Sequence, residues 1–285
     1  MADVKTTTAR PTSPQGGGKH AGKPKNTNNF AINFIIVVVM VVIAILLFNF
    51  VLGNPANFKD GVARHAPKNA LGRMYTGGFI VPILLSCLLI LLTFVIERAI
   101  TIFKARGKGN QGEFVRKVQY HLANKNVEAA IAECDKQSGS VGNVMRSGLV
   151  KYREMINNTE LDTDQKVLSI QKEIEEATAL ELPMLEKNLV FLSTLASVAT
   201  LIGLLGTVLG MIRSFSAMGE GGGGGDATAL AEGISEALIN TALGIGTSAI
   251  AIISYNFYTT IIDGVTFGID ESGFTLTQSF AANYK

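Results

Sequence analysis

The chain has 285 residues, 47% of them hydrophobic, with 25 Lys and Arg against 23 Asp and Glu. A mean hydropathy of +0.31 and four long charge-free runs exclude an ordinary pair of soluble domains, and a net charge of +2 gives no footing for nucleic-acid binding. Alternation of period two is absent, which argues against a membrane barrel, and Cys87 and Cys134 form neither a disulfide framework nor a metal spacing.

Residues 1–29 are rich in Lys, Thr, Pro, Gly and Asn, a composition that cannot bury enough apolar surface to order itself, so a mobile basic tail is expected. Residues 30–52 form the first apolar run. It is longer than the apolar core of a cleavable signal, about 7–15 residues, and lacks a cleavage pattern, so it reads as an anchor that stays. Its only polar residues from Ala31 to Leu52 are Asn33 and Asn49, near its ends, which places this helix on the lipid-facing outside of the subunit.

A basic loop, 53–75, leads to a second crossing, 76–96. Arg98, Lys104, Arg106 and Lys108 follow it. With the lysines and arginine of the N-terminal tail, they put both termini in the cytoplasm and residues 53–75 and 213–233 outside. His20, His65 and His121 are scattered and read as solvated.

Residues 97–187 are the sizeable polar part, read as a helical cytoplasmic domain without catalytic features. Phe114, Val115, Val118 and Leu122 recur at helical spacing, and a longer pattern runs through Val167, Ile170, Ile174, Ala177 and Met184. Asp162 or Thr163 is a candidate cap. Apart from Pro183, which can kink the helix, no stop precedes Asn188. One rod from about 164 to 212 is expected, with its apolar stripe covered partly by other helices of the chain and partly by copies of itself.

The third and fourth crossings, 188–212 and 234–262, carry the informative residues. There is no charge from Asn188 to Ile212, 25 residues, nor from Ala237 to Ile262, 26 residues; either length crosses a hydrocarbon core of about 30 Å. Gly203, Gly206 and Gly210 mark one narrow helix side, where small side chains let another backbone approach in lipid. Thr207 lies beside them. On the last crossing Glu236, Asn240 and Thr247 share a side, with Thr241 and Ser248 as an adjacent polar edge. Such residues should face protein or a water path.

If Arg213 and Glu236 are level, Thr207 and Thr241 fall level as well, about 8–9 Å further in. Two readings of Glu236 stay open: a rim ion pair with Arg213, or a proton or cation relay in a pore lined by subunits. Between the crossings, 213–233 contains five glycines, Gly221 to Gly225, read as a flexible turn, with Asp226 or Thr228 as a cap for the last crossing. Residues 263–285 read as a short cytoplasmic tail with little structure of its own. No dinucleotide glycine pattern, nucleophile elbow or metalloprotease motif is present, so covalent chemistry is not expected and no cofactor is implied.

The segments Gly203-Leu204-Leu205-Gly206-Thr207-Val208-Leu209-Gly210 and Ala229 to Ala242, with Leu182-Pro183-Met184-Leu185, Tyr255-Asn256 and Glu97-Arg98, resemble the signature of the MotA/TolQ/ExbB proton channel family, most closely its ExbB branch. The resemblance implies an all-α, polytopic protein of the bacterial inner membrane, assembled as a pentamer around a dimer of a single-span ExbD-like partner and driving a TonB-like protein with the proton motive force. It also implies that Thr207 and Thr241 line the pore near the partner's aspartate, that Glu236 is the family's pore glutamate and that Asn240 belongs to the same pathway.

Thr200 and Ile250 stand where the family often has prolines, and the first crossing is additional to the common three-helix form. A TolQ-like role in the Tol-Pal envelope system and a non-conducting membrane scaffold are the competing readings.

Overall fold

The computed structural model describes residues 29–61, 67–220 and 227–284, all helices and their connections apart from one isolated bridge between Phe58 and Pro67. The expected N-terminal tail, the five-glycine turn, Asp226, His20 and His65 lie outside the described residues. Among the described residues, nine α-helices occur in the order α1 (Asn29–Leu46), α2 (Ala70–Thr76), α3 (Ile80–Ala105), α4 (Gln111–Ala123), α5 (Val127–Gln137), α6 (Ser140–Asn157), α7 (Thr163–Glu186), α8 (Leu189–Glu220) and α9 (Ala227–Asn283). Four segments are long and apolar enough to cross a membrane, namely Ala31–Leu52, Ile80–Ala105, Thr163–Ser216 and Leu230–Asn283.

The spine is α9. At 57 residues it is about 85 Å long. Its first half pairs with α8 and α3 in the apolar end of the molecule, and its second half packs on α4, α6 and α7 in the polar end. This corrects the expectation for residues 263–285. They are helical, and Val265, Ile269, Leu276 and Phe280 are buried, with Phe280 edge-on to Tyr152 of α6 at 4.8 Å. Only the opposite face of this stretch, with Asp263, Asp270 and Glu271, is exposed.

Two further boundaries move. The helix α8 continues through Glu220 and α9 begins at Ala227, so residues 213–220 and 227–233 are helical where a turn was expected. The long rod is broken: α7 stops at Glu186, Lys187 is extended (φ −50°, ψ 139°), and Asn188 is left-handed with φ 65°. Pro183 lies inside α7, three residues before its end. The start of α7 follows the sequence, since Asp162 accepts from the Gln165 amide at 2.8 Å and Gln165 returns the bond at 3.3 Å, forming a capping box.

The stripe of α7 finds its cover inside the chain. Ile170 and Ile174 are buried against α6 and α9, Ile174 lying beside Gly148 and Gly273. The middle of the stripe is thus covered by helices of the same chain, while Val167 and Ala177 are half-buried and Met184 is exposed. The faces that remain open on α7 carry Leu168, Leu180 and Met184.

The first crossing lies along α3 and exposes Phe34, Ile35, Val38, Val42 and Ile45. It ends in a π-helical turn, Leu47–Leu52. The connection to α2 is not a bare loop: a 3-10 turn at Pro55–Asn57 is fixed by Asn57 bonding to the Val51 and Leu52 carbonyls, and Tyr75 stacks on Phe48 at 4.7 Å.

Candidate functional site: the seam of the last two membrane helices

Small residues dictate how α8 and α9 meet. A Cβ placed on Gly244 would lie 2.6 Å from the Ala199 carbonyl oxygen and 2.9 Å from the Gly203 Cα, and one on Gly210 would lie 3.0 Å from the Ala237 Cβ. Gly206 is filled by Asn240, whose Cβ would be 2.5 Å from any added Cβ. The three glycines singled out in the sequence thus form one antiparallel seam in which backbone touches backbone.

Polar side chains stitch the seam. Thr241 donates to the Gly203 carbonyl at 3.3 Å, and Ser248 donates to the Ala196 carbonyl. Thr247 is buried and donates to the Leu243 carbonyl of its own helix at 2.9 Å. Asn240 is 0% exposed and donates from Nδ2 to the Gly77 carbonyl at 3.0 Å. The polar face expected on the last crossing is therefore divided between two neighbours, α8 and the turn that precedes α3.

At the outer end of the seam Arg213 Nη1 donates to Glu236 Oε1 at 2.8 Å; the Glu236 side chain is 16% exposed and that of Arg213 51%. The rim pairing is formed, and the two residues are level. Gly78, at φ 77°, lies directly under the Glu236 carboxylate, where any side chain would collide with it. The guanidinium also sits 5.2 Å from the Phe79 ring, close enough for a cation–π attraction. Gly77, Gly78 and Phe79 therefore seat Asn240, Glu236 and Arg213 in turn. None of the three was singled out in the sequence, although a Gly-Gly pair directly before an apolar run is a turn signal that could have been followed.

With Arg213 and Glu236 level, Thr207 and Thr241 lie about 9 and 7.5 Å along their helices from that pair. Thr207 donates to the Leu204 carbonyl at 2.6 Å and borders a groove on the outer side of α8 with Val208, Met211, Ile212, Phe215 and Ser216. Of the predicted residues, then, Asn240, Thr241 and Glu236 are tied into the subunit, whereas Thr207 opens sideways out of it. Among the described residues no cluster of three His, Cys, Asp or Glu side chains could hold a metal ion.

Comparison with known proteins agrees with this helix pair. A stretch of 86 residues is 38% identical to putative biopolymer transport protein ExbB-like 3 of Synechocystis, covering 30% of this chain and 41% of that protein. Over 122 residues the chain is 34% identical to Tol-Pal system protein TolQ of Pseudomonas aeruginosa, covering 43% and 52%. Over 85 residues it is 44% identical to biopolymer transport protein ExbB of Helicobacter pylori, covering 30% and 57%. The chain spans about half the length of these curated relatives. Residues 137–270, from the end of α5 into the second half of α9, match the model of the MotA/TolQ/ExbB proton channel family. Through that region, which contains the whole glycine seam and its polar residues, the chain is similar to the MotA/TolQ/ExbB proton channel family.

Proposed function

We propose that this chain is an ExbB-like subunit of a proton-driven motor, which with a single-span ExbD-like partner uses the proton motive force to energise a TonB-like protein. The observation that carries the reading is the Thr207 groove. A hydroxyl that opens sideways from one subunit, level with Thr241 and below a carboxylate at the rim, suits a lining completed by other chains. In this reading the subunit sits in the bacterial inner membrane with both termini and the α4–α7 bundle in the cytoplasm, and copies of it, five by resemblance, surround the partner's helices. Thr207 offers its hydroxyl to the partner's acid, Thr241 backs it from within the seam, and Glu236 sets the potential at the outer rim. Asn240 serves the same pathway indirectly, by holding α9 to the α2–α3 turn.

A TolQ-like role is the second reading, favoured by the 122-residue match to TolQ. Expressing the chain with its partner in cells lacking either system separates the two. Restored uptake of an iron chelate without repair of detergent sensitivity supports the ExbB-like role; the reverse result supports the TolQ-like role. Restoration of neither, with the complex assembled, would favour a scaffold that passes no ions.

A further inference from the structure

The break between α7 and α8 is held by a deeply buried charge. Arg98, 1% exposed, donates from Nη1 to the carbonyls of Met184 at 3.4 Å and Leu185 at 3.3 Å, and pairs with its neighbour Glu97. Glu97 accepts from Thr101 at 3.2 Å and from Asn188 Nδ2 at 3.2 Å. Asn188 in turn accepts from Asn33 Nδ2 of α1 at 2.8 Å.

The arrangement follows from helix electrostatics. Where α7 ends, its last carbonyls lack partners and carry partial negative charge; where α8 starts, its first amides carry partial positive charge. Two helix ends of opposite sign meet at Asn188, and two adjacent residues of α3 bring a matching cation and anion to them. The left-handed conformation of Asn188 is one that asparagine accepts more readily than most side chains. Its amide is used on both sides: the nitrogen donates to α3 and the oxygen accepts from α1.

Resting on the channel reading above, we propose that Asn188 is a positioning residue. Held between Asn33 of α1 and Glu97 of α3, it fixes the joint from which α8 rises and ties the first crossing to the helix that carries Thr207. The first crossing, apolar elsewhere along its middle, acts on the channel helix through this contact near one of its ends.

The test uses the full chain in lipid nanodiscs, diluted with unlabelled copies, with spin labels at the exposed positions Leu168 of α7 and Leu201 of α8. They flank the joint, and about 50 Å, the length of an unbroken helix between them, is the upper bound on their backbone separation. One narrow distance is expected for the otherwise unchanged protein. In N33A the fraction outside that distance should rise about fivefold, the factor equivalent to losing one ordinary hydrogen bond, and in N188G, which loses two, by more than that. N188G is informative because glycine keeps the left-handed backbone and removes only the side-chain links. N33A guards against misfolding, since it alters α1 alone.

Proton flux of the same variants, co-reconstituted with the single-span partner, should fall with the narrow-distance population. Unchanged distances in both variants overturn the proposal, and so does a broadened distance with unchanged flux. If the unaltered chain with its partner carries no flux while the distances still respond, it is the channel reading of the preceding subsection that fails.

Discussion

Gly244 shows most plainly what the seam residues do. An added methyl there meets the Ala199 carbonyl and the Gly203 backbone, neither of which can rotate away, so G244A must push α8 from α9. A loss of about 1–3 kcal/mol is expected from such overpacking, read as a lower melting temperature in detergent. Gly246, two residues on, has open space around its Cα, and G246A should melt as the parent does. Equal melting of all three proteins would mean that the helices do not meet where the glycines place them.

Cys134 gives a second residue-level test. Burial in the polar bundle, helped by neighbouring Asp135, pushes its thiol from 9.0 up to about 12. The neutral thiol therefore favours the folded state fully below pH 9. That contribution falls as pH rises from 9 towards 12, because the unfolded chain loses the proton first. Maleimide at pH 8 should leave Cys134 unmodified until the protein is denatured; labelling at the same rate in both states would contradict the burial.

At this scale the sequence was most readable where chemistry and spacing coincide. The spacing of Gly203, Gly206 and Gly210 announces a close helix contact whatever its partner. The destination of Asn240 was not readable, because its acceptor, the Gly77 carbonyl, lies 163 residues away and belongs to a turn whose approach only the folded chain defines.

Among the elements, α9 and the α7–α8 joint depart furthest from the sequence reading, for different reasons. The last twenty residues of α9 carry Val265, Ile269, Leu276 and Phe280 on one face, a pattern available in the sequence but masked by the acidic residues beside it. The joint left no such trace. Pro183 drew attention to the wrong place, and what terminates α7 is a pair of charges on α3 and an Asn that only tertiary contacts hold in a left-handed turn.

These elements predict that the polar bundle is sensitive from either side of the contact between α7 and α9. I174D places a charge among α6, α7 and α9 without a partner and should destabilise the subunit itself by several kcal/mol. Deleting residues 264–285 removes the same cover and should leave the polar bundle open to trypsin. An I174D chain that keeps its fold and protease resistance but loses only self-association would restore the view that this stripe is covered by other copies.

Over the whole molecule, one continuous hydrophobic core runs from Leu91, Phe94 and Leu192 in the apolar end to Tyr152, Leu276 and Phe280 in the polar end, with α9 passing through both. Force or displacement applied to the seam can reach the polar bundle along a single uninterrupted helix. Four apolar segments and the polar middle region were legible from charge-free length alone, since the bilayer imposes that length. Oligomer number and partner were not, because a chain records only its own half of such contacts.

Whether the path past Glu236, Thr207 and Thr241 carries protons once the partner is present separates a channel from a mere helix seam. The direct measurement is proton flux into vesicles holding this chain and its single-span partner, compared among the parent, E236Q, and the paired T207V and T241V exchanges, at equal amounts of intact complex. The parent should dissipate an imposed proton gradient. E236Q should reduce the flux although the rim pair itself contributes only about 0–1 kcal/mol to stability, and loss of both hydroxyls should reduce it further at unchanged side-chain volume. Undiminished flux in E236Q and in the double threonine variant would contradict the channel reading and leave these residues as fasteners of the helix seam.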